Sequence, residues 1–365
     1  MKFIHITNKD KEIYEAFVNN HKYATPLQMW EWASFRNRLG KKLFERVGII
    51  DDKKILHLTA TFQISSFKSL GNVLYIPQGP LWDTAESLKM FAKEILKYSK
   101  QKRCFAVIIE PRVIRNSKCY QALVDVGFTY SDKAVQPRNT VFVELDRTED
   151  ELLKSFSKTT RYNIRYAKRK GVVIKRYNLP EDISRIAAFY SLLKETQKRS
   201  YFHIQHISYF EQLWKEFTRN KHSYLYEAYY QDILLHSLLV LKTNKTAISL
   251  YSASSRKHSN VKATYFTRWK SILDAKEDGC RIYDFFGATS SDDSSHPFYH
   301  TTQFKLGFGR KVAEYSGTFE IIVNPIKYTI WNTLEKLQIF AFYEESFLRN
   351  FKKQYGRQKE ERKTA

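Results

Sequence analysis

One order of elements occurs twice along this chain, and that repetition limits the folds open to it more than any single residue does. In the first half KFIHIT reads as a strand, followed by helices near Lys9–Asn19 and Leu27–Leu39. Strands at Glu45–Ile50 and Ile55–Ser65 meet across the polar turn Asp51-Asp52-Lys53, and Val73–Ile76 adds another. A helix over Thr84–Lys102, the apolar run Cys104–Glu110, a short helix near Ser117–Val124 and a strand at Asn139–Leu145 close that half. The second half repeats the order. A helix is followed by VVIKRY, helices at Glu181–Thr196 and Ser208–Arg219, the three-strand series SYLYEAYY, ILLHSLLVLK and AISLYSASS, a helix over Ala263–Asp278, and strands at RIYDFF and Val312–Ile322. Strand, two helices, antiparallel meander, helix and strand therefore recur, which predicts two α/β domains of one fold. The boundaries read as 1–146 and 147–323. An aromatic-rich helix over Tyr328–Tyr355, within 324–365, is expected to pack back on the first domain and to end in a charged tail.

Charge decides what such a fold meets. The 365 residues carry 61 Lys and Arg against 38 Asp and Glu, a formal charge of +23, which points to nucleic acid, nucleotide phosphates or an anionic membrane surface. The excess concentrates between Leu152 and Arg176, where nine cations occur without an acid. Lys154, Lys158, Arg161, Arg165 and Lys168 recur at steps of three and four, one row on a helix, with Phe156, Ile164 and Ala167 on a neighbouring stripe that can face a core. Thr148 and Glu151 form the T-x-x-E signature of a helix start. The three cysteines lie far apart, which excludes a disulfide framework and a clustered zinc site and fits reduced thiols in a cytoplasmic protein. The N-terminus lacks the apolar run of a signal peptide, and no segment approaches the ~20 apolar residues of a membrane span.

Four separated motifs carry a family likeness. They are YIPQGPLWD at Tyr75–Asp83, QPRNTVFVEL at Gln136–Leu145, Tyr283-Asp284-Phe285-Phe286-Gly287, and Phe304-Lys305-Leu306-Gly307-Phe308-Gly309. Together, and in this order, they resemble the FemABX family of aminoacyl-tRNA-dependent peptidyltransferases, which build the cross-bridge of bacterial peptidoglycan. The resemblance implies two tandem GNAT-like acyltransferase domains with mixed sheets flanked by helices. It also implies transfer of an amino acid from an aminoacyl-tRNA to the stem-peptide amine of UDP-MurNAc-pentapeptide or lipid II. Some members carry a coiled-coil arm in the second domain; Glu181–Asn220 is too short for one and has no sustained heptads.

An ester is already an activated acyl donor, so the implied reaction needs no cofactor and no metal, and no DNA partner is expected. It needs two polyanions brought together, a neutral amine and a stabilised oxyanion. By resemblance Lys305 is the fixed cation near the ester and Phe304 stacks on the terminal adenine, with Gly307 and Gly309 allowing close backbone approach. Arg36 and Arg199 are the candidates for the acceptor's diphosphate, with Arg38 and Lys198 as neighbours that could serve. Glu110 is the candidate general base, or else a structural acceptor at a strand end. Asp284 is expected to anchor the following loop and to stand within reach of the acceptor peptide, and Tyr251 to line the peptide groove. Lys154, Lys158, Arg161, Arg165 and Lys168 are the tRNA-binding set. His203 with His206, and His296 with His300, read as surface pairs without a third ligand, and Thr289–Thr302 as a candidate lid. The C-terminal stretch reads as packing back on the first domain, or alternatively as a peripheral contact with the inner membrane surface. Two other classes remain open: a non-catalytic binder of structured RNA, and a coenzyme A-dependent N-acyltransferase, against which the missing Q/R-x-x-G-x-G/A loop counts.

Overall fold

The computed structural model describes residues 1–334 apart from 41–42, 133, 201–203, 295 and 297. The first part of the chain supplies strands β1 (Lys2–His5), β2 (Phe44–Ile50), β3 (Leu56–Phe67), β4 (Gly71–Ile76), β5 (Leu81–Trp82), β6 (Cys104–Ile109) and β7 (Thr129–Ser131). Its helices are α1 (Lys11–Asn20), α2 (Trp30–Arg38), α3 (Ala85–Gln101) and α4 (Lys118–Asp125). A connecting stretch holds β8 (Asn139–Thr140) and β9 (Phe142–Glu144). The later part supplies β10 (Val173–Tyr177), β11 (Ser223–Tyr230), β12 (Ile233–Lys242), β13 (Thr246–Ser254), β14 (Ile282–Asp284), β15 (Ala313–Glu314) and β16 (Thr318–Ile322). Helices α5 (Glu149–Ser155), α6 (Lys158–Arg169), α7 (Arg185–Ser200), α8 (Ile207–Thr218), α9 (Ala263–Glu277) and α10 (Tyr299–Gly309) surround them.

Local chemistry accounts for most of these elements. The run CFAVII of β6 is apolar at every position because both its faces are covered, and all six residues are buried. Helix α3 starts where the Thr84 side chain accepts from the Ser87 N–H, and it buries Leu88, Phe91, Ala92, Ile95 and Tyr98 along one stripe. The Thr148–Glu151 capping box forms as the T-x-x-E pattern implies. The expected single basic helix is two. Ser157 accepts from the Thr160 N–H and caps a new helix, so Lys154 ends α5 while Lys158, Arg161, Arg165 and Lys168 ride on α6.

The strands form an eight-stranded sheet in the order β1-β2-β3-β4-β6-β16-β7, with β5 beside β3, and a six-stranded sheet in the order β10-β11-β12-β13-β14-β9. The division at residue 146 is therefore crossed twice. The strand expected to close the first half breaks at Val141, and its second piece β9 pairs with β14 of the second sheet. The strand expected to close the second half also breaks: β15 pairs with β8, whereas β16 lies between β6 and β7 of the first sheet. Each sheet thus takes one strand from the other side of the expected boundary. A common apolar core adds to this, because Phe35 and Trp32 of α2 share a cluster with Tyr209, Trp214 and Phe217 of α8. Residues 325–334 are helical, and Trp331 packs on Phe67 and Phe105 with ring centroids 5.7 and 5.6 Å apart, so this part lies back on the first sheet. The rest of the expected Tyr328–Tyr355 helix and the charged tail lie outside the described residues.

In both sheets the meander ends in a parallel pair, β4 with β6 and β13 with β14. The second pair is short. Pairing stops at Ile248 with Asp284, yet β13 runs on to Ser254, so the strands part and leave a gap beyond their paired ends. In open α/β sheets a gap outside the carboxyl ends of the strands is where ligands bind.

Candidate active site

Helix α10 closes that gap. The FKLGFG motif lies on the helix and not in a loop, and its glycines serve packing between elements of this chain. A Cβ at Gly309 would stand 2.6 Å from the Phe142 carbonyl oxygen, and one at Gly307 would collide with the Thr160 hydroxyl. The Ser157 N–H donates to the Gly307 carbonyl at 2.8 Å, which ties α10 to the start of α6.

Seated this way, α10 turns Lys305 inward. Lys305 is buried, and its Nζ donates to the carbonyls of Phe286, at 2.8 Å, and of Gly287. Burial lowers its pKa to about 7, the nearby Arg268 guanidinium acts in the same direction, and Asp284 opposes both. Arg268, from α9, is buried as well; it donates to the Ser249 hydroxyl, and its Nε has no hydrogen-bond partner among the described residues. Asp284 faces these cations but is already engaged. Its oxygens accept from Arg112, Tyr315, Thr140 and, at 2.7 Å, the Phe286 N–H. The centre therefore holds more positive charge than its one carboxylate offsets, an arrangement suited to an oxyanion that forms during acyl transfer.

Phe304, next to Lys305, faces a cleft of about 380 Å³ lined also by Tyr265, Arg199, Arg256, Lys257 and Lys262. The Phe304 and Tyr265 rings meet edge to face at 4.9 Å, and no acid lines the cleft among the described residues. Aromatic rings beside four cations can hold a purine and its phosphates together.

The other expected residues fall into groups. Arg199 reaches this cleft, where it donates to the Ser254 carbonyl at 2.5 Å and pairs with Glu195 at 3.1 Å. Arg36 lies against the rings of Phe35, Phe44 and Tyr209 at 5.4–5.9 Å, and the Tyr251 hydroxyl donates to that of Tyr209 at 3.2 Å. Tyr251 and Ser254 lie on one strand, so Arg199 meets β13 directly and Arg36 reaches it through Tyr209. Asp284 is 1% exposed and its side chain is fully occupied as an anchor. Glu110 is buried and accepts from the Tyr75 hydroxyl, the Val135 and Gln136 N–H groups at 2.7 and 3.2 Å, and the Thr318 hydroxyl at 3.0 Å. That is the geometry of a structural acceptor.

Of the basic set, Lys154, Lys158, Arg165 and Lys168 are exposed, while Arg161 donates to the carbonyls of Lys154 and Phe156 at the end of α5. The C-terminal end of α6 borders the cleft, since Ala167 shares an apolar cluster with Val261 and Ala263. His206 caps α8 by accepting from the Ser208 N–H, and His203 lies outside the described residues. His296 accepts from the Phe298 N–H, and His300 is an exposed residue of α10. Sequence reasoning missed Arg268, Tyr265 and the cations of the SRKHSNVKAT stretch. The available signals were an arginine in the apolar stripe of α9 and a cluster of cations before a helix start.

Two mixed sheets flanked by helices, with a splayed strand pair and cationic donors in the second, make up an acyltransferase. The FemAB family model matches residues 9–231 and 218–336, and the chain belongs to that family. Lipid II:glycine glycyltransferase of Staphylococcus epidermidis is 22% identical over 413 residues, covering 93% of this chain and 96% of the relative. The protein of the same name from Staphylococcus aureus is 22% identical over 407 residues, covering 90% and 95%. Among solved structures, FemX superposes with a TM-score of 0.82 at 22% identity, covering 90% of this chain and 99% of that one. L-PGS from Bacillus licheniformis does so at 0.53 and 14%, covering 87% and 91%.

Proposed function

We propose that the protein transfers an amino acid from an aminoacyl-tRNA to the stem-peptide amine of a peptidoglycan precursor, with lipid II as the acceptor. The relatives' printed names supply the acceptor. The observation that carries the reading is the pair Phe304 and Lys305. One helix turn presents an aromatic ring to a cationic cleft and a buried amine to a centre rich in positive charge. The terminal adenosine stacks on Phe304, and its phosphates meet Arg256, Lys257 and Lys262. The acceptor's diphosphate meets Arg36 and Arg199. The amine nitrogen attacks the ester carbonyl, and a C–N bond forms as the carbonyl oxygen takes negative charge. Lys305 in its cationic form, with Arg268 behind it, stabilises that oxygen. The C–O bond then breaks, and the 3′ oxygen of the tRNA leaves with the proton that the amine gives up.

The exposed cations of α6 extend the positive surface from the cleft and carry the body of the RNA. No helix among the described residues is long and apolar enough to cross a membrane. A lipid-linked acceptor would place the protein at the cytoplasmic membrane face by peripheral contact. The test incubates the protein with lipid II, or with UDP-MurNAc-pentapeptide, and a pool of charged tRNAs, and reads the product by mass. A gain of one amino-acid residue supports the reading and identifies the residue. No gain with either acceptor, in protein shown to be folded, overturns it.

A further inference from the structure

The Lys305 amine is held by a piece of backbone that does not hold itself. Its two acceptors are the carbonyls of Phe286 and Gly287. Phe286 has φ of 48° and Gly287 φ of 76°, two successive residues in the left-handed region. Glycine adopts that region freely; a bulky aromatic residue does so only when its surroundings compel it. What compels Phe286 is Asp284, whose Oδ1 accepts from the Phe286 N–H at 2.7 Å and from the Thr140 hydroxyl. The carboxylate of Asp284 is in turn fixed from the other side of the molecule. Arg112 follows β6 of the first sheet, and its Nη2 donates both to Asp284 Oδ2 and to the Tyr315 hydroxyl, which itself lies 3.3 Å from Asp284. Arg112 is 7% and Asp284 1% exposed, so the pair is shielded from solvent. A buried carboxylate deprived of its cation is strongly destabilised, which gives Arg112 leverage over everything Asp284 holds.

We propose that Arg112 is a positioning residue for acyl transfer: from the end of the first sheet it clamps Asp284, and through Asp284 it fixes the Phe286–Gly287 carbonyls that hold the Lys305 amine. This rests on the catalytic role given to Lys305 above. The charged and titratable groups facing Lys305 are Arg268 from α9 and Asp284 from β14. Arg112 and Tyr315 stand behind Asp284, and Tyr283 and His236 stand next to Arg268. Removing the Arg112 charge leaves Asp284 less neutralised and takes one cation from the cluster. Both changes favour the protonated form of Lys305, so its titration midpoint moves up from about 7.

The experiment compares wild type, Arg112→Met and Arg112→Lys, each shown to be folded by circular dichroism. One readout needs no substrate. In protein labelled with [13Cε]lysine, the Lys305 signal is assigned by its loss in Lys305→Met and followed across pH. The relay requires an upward move of the midpoint in Arg112→Met and a smaller move in Arg112→Lys. An unchanged or lowered midpoint in folded Arg112→Met overturns it. The second readout is transfer kinetics. A misplacement at the reacting centre costs about 100-fold in kcat, with KM for both substrates little changed. Equal kcat per folded molecule in wild type and Arg112→Met overturns the proposal even if stability falls. Should wild type transfer nothing, the reading of the overall reaction fails, while the titration still decides whether Arg112 governs Lys305.

Discussion

The two sheets put different chemistry at the same architectural place. Each has a parallel pair at the end of its meander, and each carries a charged residue beyond that pair. In the first sheet it is Glu110, which follows β6. Four donors close on its carboxylate, from Tyr75, Val135, Gln136 and Thr318, and they come from well-separated parts of the chain. In the second sheet, where the strands part, stand Lys305 and Arg268; there cations exceed carboxylates, and Arg268 Nε has no partner among the described residues. A fully satisfied charge holds structure together, whereas a charge left in surplus, at a cost in desolvation, can act on something that arrives. The comparison teaches that a duplicated fold need not carry duplicated function. One strand end holds an anchor, and the other holds the candidate site.

The contrast breaks first at Lys305. Lys305→Ala is expected to lower the transfer rate about 100- to 1,000-fold, as loss of an oxyanion donor does, measured as product formed per minute at saturating substrates. A loss under tenfold would make the end of the second sheet no more catalytic than that of the first. The surplus on α6 is tested by the triple variant Lys158→Ala, Arg165→Ala, Lys168→Ala. A plot of log affinity for tRNA against log salt concentration should become shallower by about 2 to 3, because each lost phosphate contact removes slightly less than one from the slope. Glu110→Gln sharpens the other side. It should cost about 1–3 kcal/mol of stability in urea titration, through a weakened buried acceptor, and leave the rate per folded molecule within a few-fold. A rate loss comparable to that of Lys305→Ala would restore Glu110 as the general base.

Burial of the Lys305 amine also gives a pH dependence with a definite sign. Lys305 titrates near 7 when folded and near the ordinary lysine value of 10.5 when unfolded. Between these values the unfolded chain binds a proton that the folded chain does not, so stability rises with pH across that window. Below about 7 the cost of burying the ammonium is constant, and above about 10.5 it is gone. Urea midpoints of wild type minus those of Lys305→Met, measured from pH 7 to 10, should climb steadily. A flat difference would mean that the amine is not protected from water.

Local order was legible in the residues, and partnership across the chain was not. Helix caps, the strands of both meanders and the apolar run of β6 follow from periodicity and capping chemistry, which act over a few residues. Lys305 and Phe304 were legible only through a motif; of the two, Phe304 lines the cationic cleft while Lys305 is buried behind it. Nothing local tells a strand which sheet to join, so the crossing of β9 and β16 was hidden. The break at Ser157 was overlooked because the cation spacing continues across it, although a serine before a charged run is a cap signal. The glycines of FKLGFG were expected to allow close backbone approach to a ligand, but what they approach is this chain's own Thr160 and Val141, far away in sequence. Arg112 could not be matched to Asp284 from spacing, since charge alone names no partner at such a separation.

The exchanged strands also set a timetable for synthesis. β6 is made early, but its neighbour β16 emerges about two hundred residues later, so this pairing is among the slowest kind of contact a chain can close. Until then the nascent first sheet exposes an open edge along the apolar strand β6. Tyr315, which helps Arg112 hold Asp284, arrives just ahead of that strand. A ribosome that stalls before residue 315 would therefore release a chain with an unfinished sheet and an unclamped site. Completion of the first sheet and of the contacts that hold Asp284 thus fall within the same few residues of synthesis.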